Sequence, residues 1–274
     1  MQRAKEIFFK AKKDIYNQNF GNMQSPIKGD GLDFKEIKDY IDEDLKKINW
    51  KATAKSGAIK ANVFNETRQI NIVVVLMLSG SLKFGSVRLK RDLATEIFAL
   101  LSLAAVESKN LLYPIIFSDK LEKFYPALKS QDGVYQAIED SLNIDVLGKD
   151  VDYKNLCDTI NSTIRRKSAI FIISDFLKEP DFTDIAYYND VYSIIIRDKI
   201  EEELKFDSDM DLINPVKLDK FELHLDKSVV ERYKELLKEH DRKVKNHFLE
   251  NRIFSDKIYT DDEVLPKLIK ITRS

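Results

Sequence analysis

Two kinds of hydrophobic pattern alternate along this chain. Asn71 to Leu78, Leu111 to Phe117, Ala169 to Ser174 and Val191 to Ile196 are short runs, apolar at nearly every position and rich in β-branched residues. Such runs predict strands covered on both faces. Between them, apolar residues recur at helical spacing. Leu89, Leu93, Ile97, Leu100, Leu101 and Ala104 follow a candidate N-cap at Ser86. Val134, Ile138 and Leu142 mark another helix, and Tyr153, Leu156, Cys157, Ile160 and Ile164 a third behind a candidate cap at Asp152. Strands alternating with helices predict an α/β fold, a mostly parallel sheet with helices on both faces.

The flanks read differently. Residues 1–20 predict a basic amphipathic helix with Ile7, Phe8, Ala11 and Ile15 on one face. Residues 21–33 carry turn chemistry, 34–57 are polar and charged, and Ile59 to Glu66 alternates as a strand. Lys217 to Leu225 alternates like an exposed strand, half of a hairpin. Ser228 to Glu231 has capping-box spacing and opens a long helix with Val230, Tyr233, Leu237, His240, Val244 and Phe248 inward. Tyr259 to Glu263 leads into a last short helix. The expected organisation is an N-terminal segment, 1–66, packed on the main domain, an α/β core over 67–205, and a strand and helix extension over 206–274.

Right-handed crossovers bring the carboxyl ends of parallel strands to one edge, where open sheets place their ligands. The strand ending in Ser79-Gly80-Ser81 and the strand ending in Asp175 therefore deliver Ser79, Ser81 and Asp175 to the same edge.

Composition removes several classes of function. Charged residues are 33% of the 274 and cancel to a formal −1, so nothing pulls the whole chain toward nucleic acid or anionic lipid. At 43% hydrophobic content the chain reads as globular. Cys157 is the sole cysteine, which excludes an intrachain disulfide and a cysteine-only zinc site. Its apolar neighbours predict a buried, inert thiol. The longest apolar run, Ile72 to Leu78, is too short to cross a bilayer, and Met1 to Lys10 lacks a signal core, so a cytoplasmic location is expected. His240 and His247 are two helical turns apart, too far to share one ion, and His240 is expected at the core edge.

Two local patterns offer alternatives. Gly80 to Ser86 has the glycine spacing of a phosphate loop, which suggests a phosphate- or nucleotide-handling α/β enzyme. Ser86 stands where the phosphate-contacting lysine belongs, and a glycine-assisted turn also explains the run. The basic residues around Trp50 (Lys46, Lys47, Lys51, Lys55) are cancelled by Asp39, Asp42, Glu43 and Asp44, so no nucleic-acid partner is expected. Tyr40, Asp44 and Trp50 read instead as structural residues of a clasp, with Trp50 buried. The N-terminal helix could rest on a membrane surface or dock on the domain, and docking is favoured.

Five blocks in chain order resemble a known family. They are Ile37-Lys-Asp-Tyr40 through Asp44, Ile48-Asn-Trp50 and Lys55; Ser79-Gly-Ser81 with Phe84-Gly-Ser86; Phe117-Ser-Asp119 with Pro126; Ile173-Ser-Asp175-Phe176; and Arg197-Asp198 with Glu201 and Leu204. The chain resembles the bacterial domain of unknown function 58 family, which contains a von Willebrand factor type A-like domain. That resemblance implies a Rossmann-like sheet and a metal-ion-dependent adhesion motif, Asp-x-Ser-x-Ser, whose serines bind Mg²⁺. Here Met77 stands in the acid's place. Ser79, Ser81 and Asp175 keep three oxygen donors and one charge, and a thioether is a poor ligand for a hard ion. No cofactor is expected beyond a weak Mg²⁺ or Mn²⁺, and the same three residues are expected to form a protein-contact surface. The resemblance further implies a non-enzymatic adaptor that links a MoxR-type AAA+ ATPase to a client protein.

Overall fold

The computed structural model of the protein describes residues 2–17, 32–40, 48–66, 69–204, 209–213, 217, 220–224 and 227–273. The chain divides into two compact units: Gln24–Ile70, and Met1–Met23 together with Asn71–Ser274. The expected segment 1–66 thus straddles both units.

In chain order, α1 (Gln2–Asn17) belongs to the larger unit. The smaller unit holds β1 (Leu32–Asp39), α2 (Trp50–Ser56) and β2 (Lys60–Glu66), with β1 and β2 antiparallel. Asn49 caps α2 by accepting from the Ala52 amide at 2.9 Å. Gly57 ends α2 with φ +70, a conformation that side chains disfavour. Trp50 is 70% exposed, which corrects the expectation of a buried aromatic. It opens a helix of seven residues that buries none of them, too short to turn a face onto a core. Tyr40 is half-buried, with its amide bonded to the Ile59 carbonyl at 2.9 Å. Asp44 lies outside the described residues, as does the expected turn segment up to residue 31.

The larger unit is the α/β body. Its elements are β3 (Asn71–Met77), α3 (Lys90–Glu107), β4 (Leu111–Phe117), β5 (Leu121–Phe124), α4 (Gln131–Asn143), α5 (Tyr153–Thr163), β6 (Ser168–Ser174), α6 (Thr183–Tyr188), β7 (Asp190–Arg197), α7 (Lys199–Glu202), β8 (Asp209–Ile213), β9 (Lys220–His224), α8 (Lys227–Glu250), β10 (Phe254–Tyr259) and α9 (Val264–Arg273). Six strands form one sheet in the order β10-β7-β6-β3-β4-β5, all parallel except the edge strand β5. This is a von Willebrand factor type A-like, doubly wound order, and the strand sequence reverses between β3 and β6. The chain builds outward from β3 in both directions, so the crevice at that point opens between the loops after β3 and β6.

The continuous apolar runs become the buried strands because helices cover both sheet faces. Val73, Val75, Met77, Ile115, Phe117, Ile170 and Ile172 meet α5, α6 and α8 in one core. On the other side α3 packs on the sheet, and α1, α4 and α9 pack on α3. The stripe of α1 is Ala4, Phe8, Ala11 and Ile15, all buried, with Phe8 edge-on to Tyr135 at 5.5 Å. Phe8, Ala11 and Ile15 of the expected face are in this stripe, whereas Ile7 is only half-buried and Ala4 takes its place. β8 and β9 form the expected hairpin.

Two helix starts differ from expectation. α3 begins at Lys90 behind Leu89, and Ser86 lies in the loop ahead of it, where its amide and hydroxyl donate to Asp198. α8 begins at Lys227, one residue ahead of Ser228, so Ser228 lies inside the helix. Of the expected inner face of α8, Val244 and Phe248 are buried, and Phe248 meets Phe176 and Phe182. Phe248→Ala is expected to cost about 3–5 kcal/mol, read as a lower urea midpoint with an unchanged slope. A loss under 1 kcal/mol would show that α8 is not part of the core.

Candidate functional site

The carboxyl edge brings together the residues expected there. β3 ends at Met77, and a 3-10 turn follows over Gly80–Lys83. The Ser79 and Ser81 hydroxyls are 2.6 Å apart, and Ser81 donates to Asp175 Oδ2. Because the Ser81 proton goes to the carboxylate, Ser79 must donate to Ser81. Asp175 follows directly on β6 and is 2% exposed, and Ser79 is 5% exposed. The set is therefore an internal network and offers only a small polar surface to a partner.

The chain ends on a cation that sequence patterning did not single out. Lys90, the first residue of α3, is fully buried, and its ammonium donates to Asp175 Oδ2 at 3.2 Å and to Glu201 Oε1 at 2.6 Å. Glu201 lies in α7, whose capping box ties its other oxygen to the Asp198 amide at 2.9 Å. One ammonium thus joins the start of α3, the end of β6 and the start of α7. A lysine in the first turn of a helix reads as solvated, and only the long-range partners bury it.

Beside this triad lies a second buried acid. Asp198 Oδ2 accepts from the Thr260 hydroxyl at 2.6 Å and the Ser86 amide at 2.7 Å, and Oδ1 accepts from the Ile200 amide at 2.9 Å. Burial by itself would raise its pKa, but these donors outweigh burial and hold the carboxyl below the usual range.

The backbone after Asp175 is also fixed. Phe176 sits at φ +48, an uncommon value for a non-glycine residue, at a cost of about 1–3 kcal/mol. His240 on α8 donates from Nε2 to the Phe176 carbonyl at 2.7 Å. The Phe176 ring stacks on Tyr153, centroids 5.6 Å apart, and meets Phe248 edge-on at 5.4 Å. The Tyr153 hydroxyl pairs with Ser174 at 2.9 Å, and burial, then the charge of Asp175, pushes its pKa up. His240 thus sits at the core edge as expected, and acts there as a positioning residue.

Of the donor set expected at this edge, the oxygen-bearing side chains of Ser79, Ser81 and Asp175 come together. Met77 points into the core among Val73, Val75 and Phe117, so it supplies no ligand. The Asp175 oxygen already accepts from Ser81 and Lys90. Among the described residues, no group of three or more His, Cys, Asp or Glu side chains is placed to hold a metal.

The phosphate-loop alternative meets a similar obstacle. The amides of Gly80, Leu82, Phe84 and Lys90 are bonded to the carbonyls of Lys149, Ser79, Ser81 and Phe84, and that of Ser86 to Asp198. A phosphate cradle needs such amides free. Gly85 is required for packing, since a Cβ there would lie 1.9 Å from the Arg88 carbonyl oxygen. Cys157 is buried, and burial, then the charge of Asp181, pushes its thiol up to about 12, which suits an inert residue.

The depressed Asp198 carboxyl gives a pH prediction. A group whose folded pKa lies below its unfolded value stabilises the fold above the unfolded value of about 4 and loses that effect as pH falls through the folded one. Asp198→Asn is expected to lower stability at pH 7, with the gap to wild type closing as pH falls below about 4. Denaturant midpoints at several pH values read this directly. A gap that stays constant down to pH 3 would contradict it.

The chain matches a family model described as "Protein of unknown function DUF58" over residues 37–243. Among solved structures it is similar to the conserved hypothetical protein BatB from Bacteroides thetaiotaomicron, at 10% identity over 74% of this chain and 96% of that one, with a TM-score of 0.47. It is also similar to an aerotolerance-related membrane protein from Bacteroides fragilis, at 10% identity over 73% and 95% of the two chains, with a TM-score of 0.42. No curated protein matches the chain. Among the described residues, no helix is long and apolar enough to cross a membrane. The family match spans well over half of the sequence, and the chain belongs to the DUF58 family of proteins of unknown function.

Proposed function

We propose that this protein is a non-enzymatic interaction module that docks a partner at the carboxyl edge of its sheet. The observation that carries this reading is the contrast at that edge. The polar groups there satisfy one another and are largely buried, whereas the loops around them expose Phe84, Val87, Leu147 and Leu177. Exposed apolar side chains on fixed loops suit protein recognition better than they suit chemistry on a small molecule.

Those loops are tied together. The Gly80 amide bonds the Lys149 carbonyl at 2.9 Å, and Lys178 reaches Asp150 at 2.6 Å and the Val151 carbonyl at 3.0 Å. Tied loops lose little conformational entropy on binding. The family resemblance supplies the partner: a MoxR-type AAA+ ATPase in the cytoplasm, which this module links to a client protein. Ser79, Ser81 and Asp175 then act mainly by holding the loops in place, and contact falls to the apolar rim.

The test is binding to the MoxR-type ATPase of the same genome, measured by biolayer interferometry. Replacing Phe84, Val87 and Leu177 together by Asp is expected to weaken binding at least tenfold, about 1.4 kcal/mol or more. Unchanged binding by a folded triple variant would move the contact surface elsewhere. A wild-type melting temperature raised by ATP would instead favour the nucleotide-handling reading.

A further inference from the structure

We infer that the Lys90 ammonium is the resident cation of the carboxyl edge and that it and a divalent metal ion exclude each other there. This goes beyond the docking reading and does not depend on which protein docks. The hydrogen-bond chain runs from Ser79 to Ser81 to Asp175, and Lys90 closes it onto Asp175 and Glu201. The two hydroxyls, Asp175 Oδ2 and Glu201 Oε1 are thus already directed at one another or at the ammonium.

Three observations bear on the exclusion. The Lys90 side chain has no solvent exposure, so it cannot swing aside into water without opening the packing around it. The Asp175 oxygen that would face an ion at the serines is the one that accepts from Lys90. An ion bound there would stand close to a positive charge in a poorly screened interior. Lastly, the acid that would add negative charge is absent, since Met77 occupies its place and faces the core. A monovalent ammonium suits the two carboxylates of Asp175 and Glu201 without that third acid. Removing it would leave an oxygen set of the type that hard divalent ions take.

The consequence for recognition is specific. In a metal-bridged contact the ion takes a carboxylate from the partner. With an ammonium in its place, buried and already paired, this chain recognises its partner without divalent metal and without a coordinated acidic side chain.

The experiment is a Mn²⁺ titration of wild type and Lys90→Ala, followed by the electron paramagnetic resonance signal of free Mn²⁺. Lys90→Ala is expected to bind Mn²⁺ at least tenfold more tightly than wild type, and adding Asp175→Asn is expected to abolish the gain. A folded Lys90→Ala protein that binds no more tightly than wild type overturns the inference. A second arm uses wild type alone, so it stands even if the variant does not fold. Paramagnetic Mn²⁺ is expected to leave the amide resonances of Ser79, Ser81 and Phe176 as sharp as those of the opposite sheet edge. Selective broadening of those three would place the ion beside Lys90 and overturn the inference equally.

Discussion

The arrangement of the carboxyl edge depends on one buried ion triad, Lys90 between Asp175 and Glu201. Withdrawing an ammonium from water costs several kcal/mol, and only close carboxylates repay it. The triad therefore fixes three elements at once, because α3, the end of β6 and α7 must all be in register for the charges to meet. Removing one member of such a set leaves an uncompensated charge in the interior, which is the costly case. The loop after β3 joins the triad through the Ser81 bond to Asp175.

A second constraint backs the first. Phe176 holds an unfavourable backbone conformation one residue after Asp175. It is kept there by its ring, packed among Tyr153, Phe182 and Phe248, and by the His240 bond to its carbonyl. The long helix α8 thus clamps the loop from the outer side of the sheet while α3 approaches from the other. Polar chain and aromatic cluster meet at Asp175 and Phe176, so the position of that acid is set by core packing as much as by charge.

Much of this was legible in the sequence. β3, β4, β6 and β7 are covered on both faces, and that demands continuous apolar runs. The meeting of Ser79 and Ser81 with Asp175, 94 positions beyond Ser81, follows from the handedness of parallel crossovers. The edge strands β5 and β10 carry Glu122, Lys123, Asp256 and Lys257 and have no such run, so pattern alone passed over them. Lys90 was illegible for a different reason. Its partners lie 85 and 111 positions away, and nothing in Leu89-Lys90-Arg91-Asp92 distinguishes a buried ammonium from a solvated one. Ser86 reads as a helix cap by local rules, but α3 starts later in the chain and Ser86 sits in the preceding loop, bonded to the buried Asp198. Trp50 shows the reverse error, since a large aromatic suggests burial and a seven-residue helix provides no core for it.

A protein ammonium, that of Lys90, occupies the carboxyl edge. Nitrogen-15 NMR of the lysine side chains tests it most directly. Exposed lysine ammonium protons exchange with water too fast to observe, whereas a buried, doubly paired one is protected. One slowly exchanging ammonium signal is expected, lost in Lys90→Arg, with cross-relaxation to protons of the Ser81 side chain and unchanged by millimolar Mg²⁺. The absence of any protected ammonium, or its loss when Mg²⁺ is added, would show that Lys90 does not hold this edge.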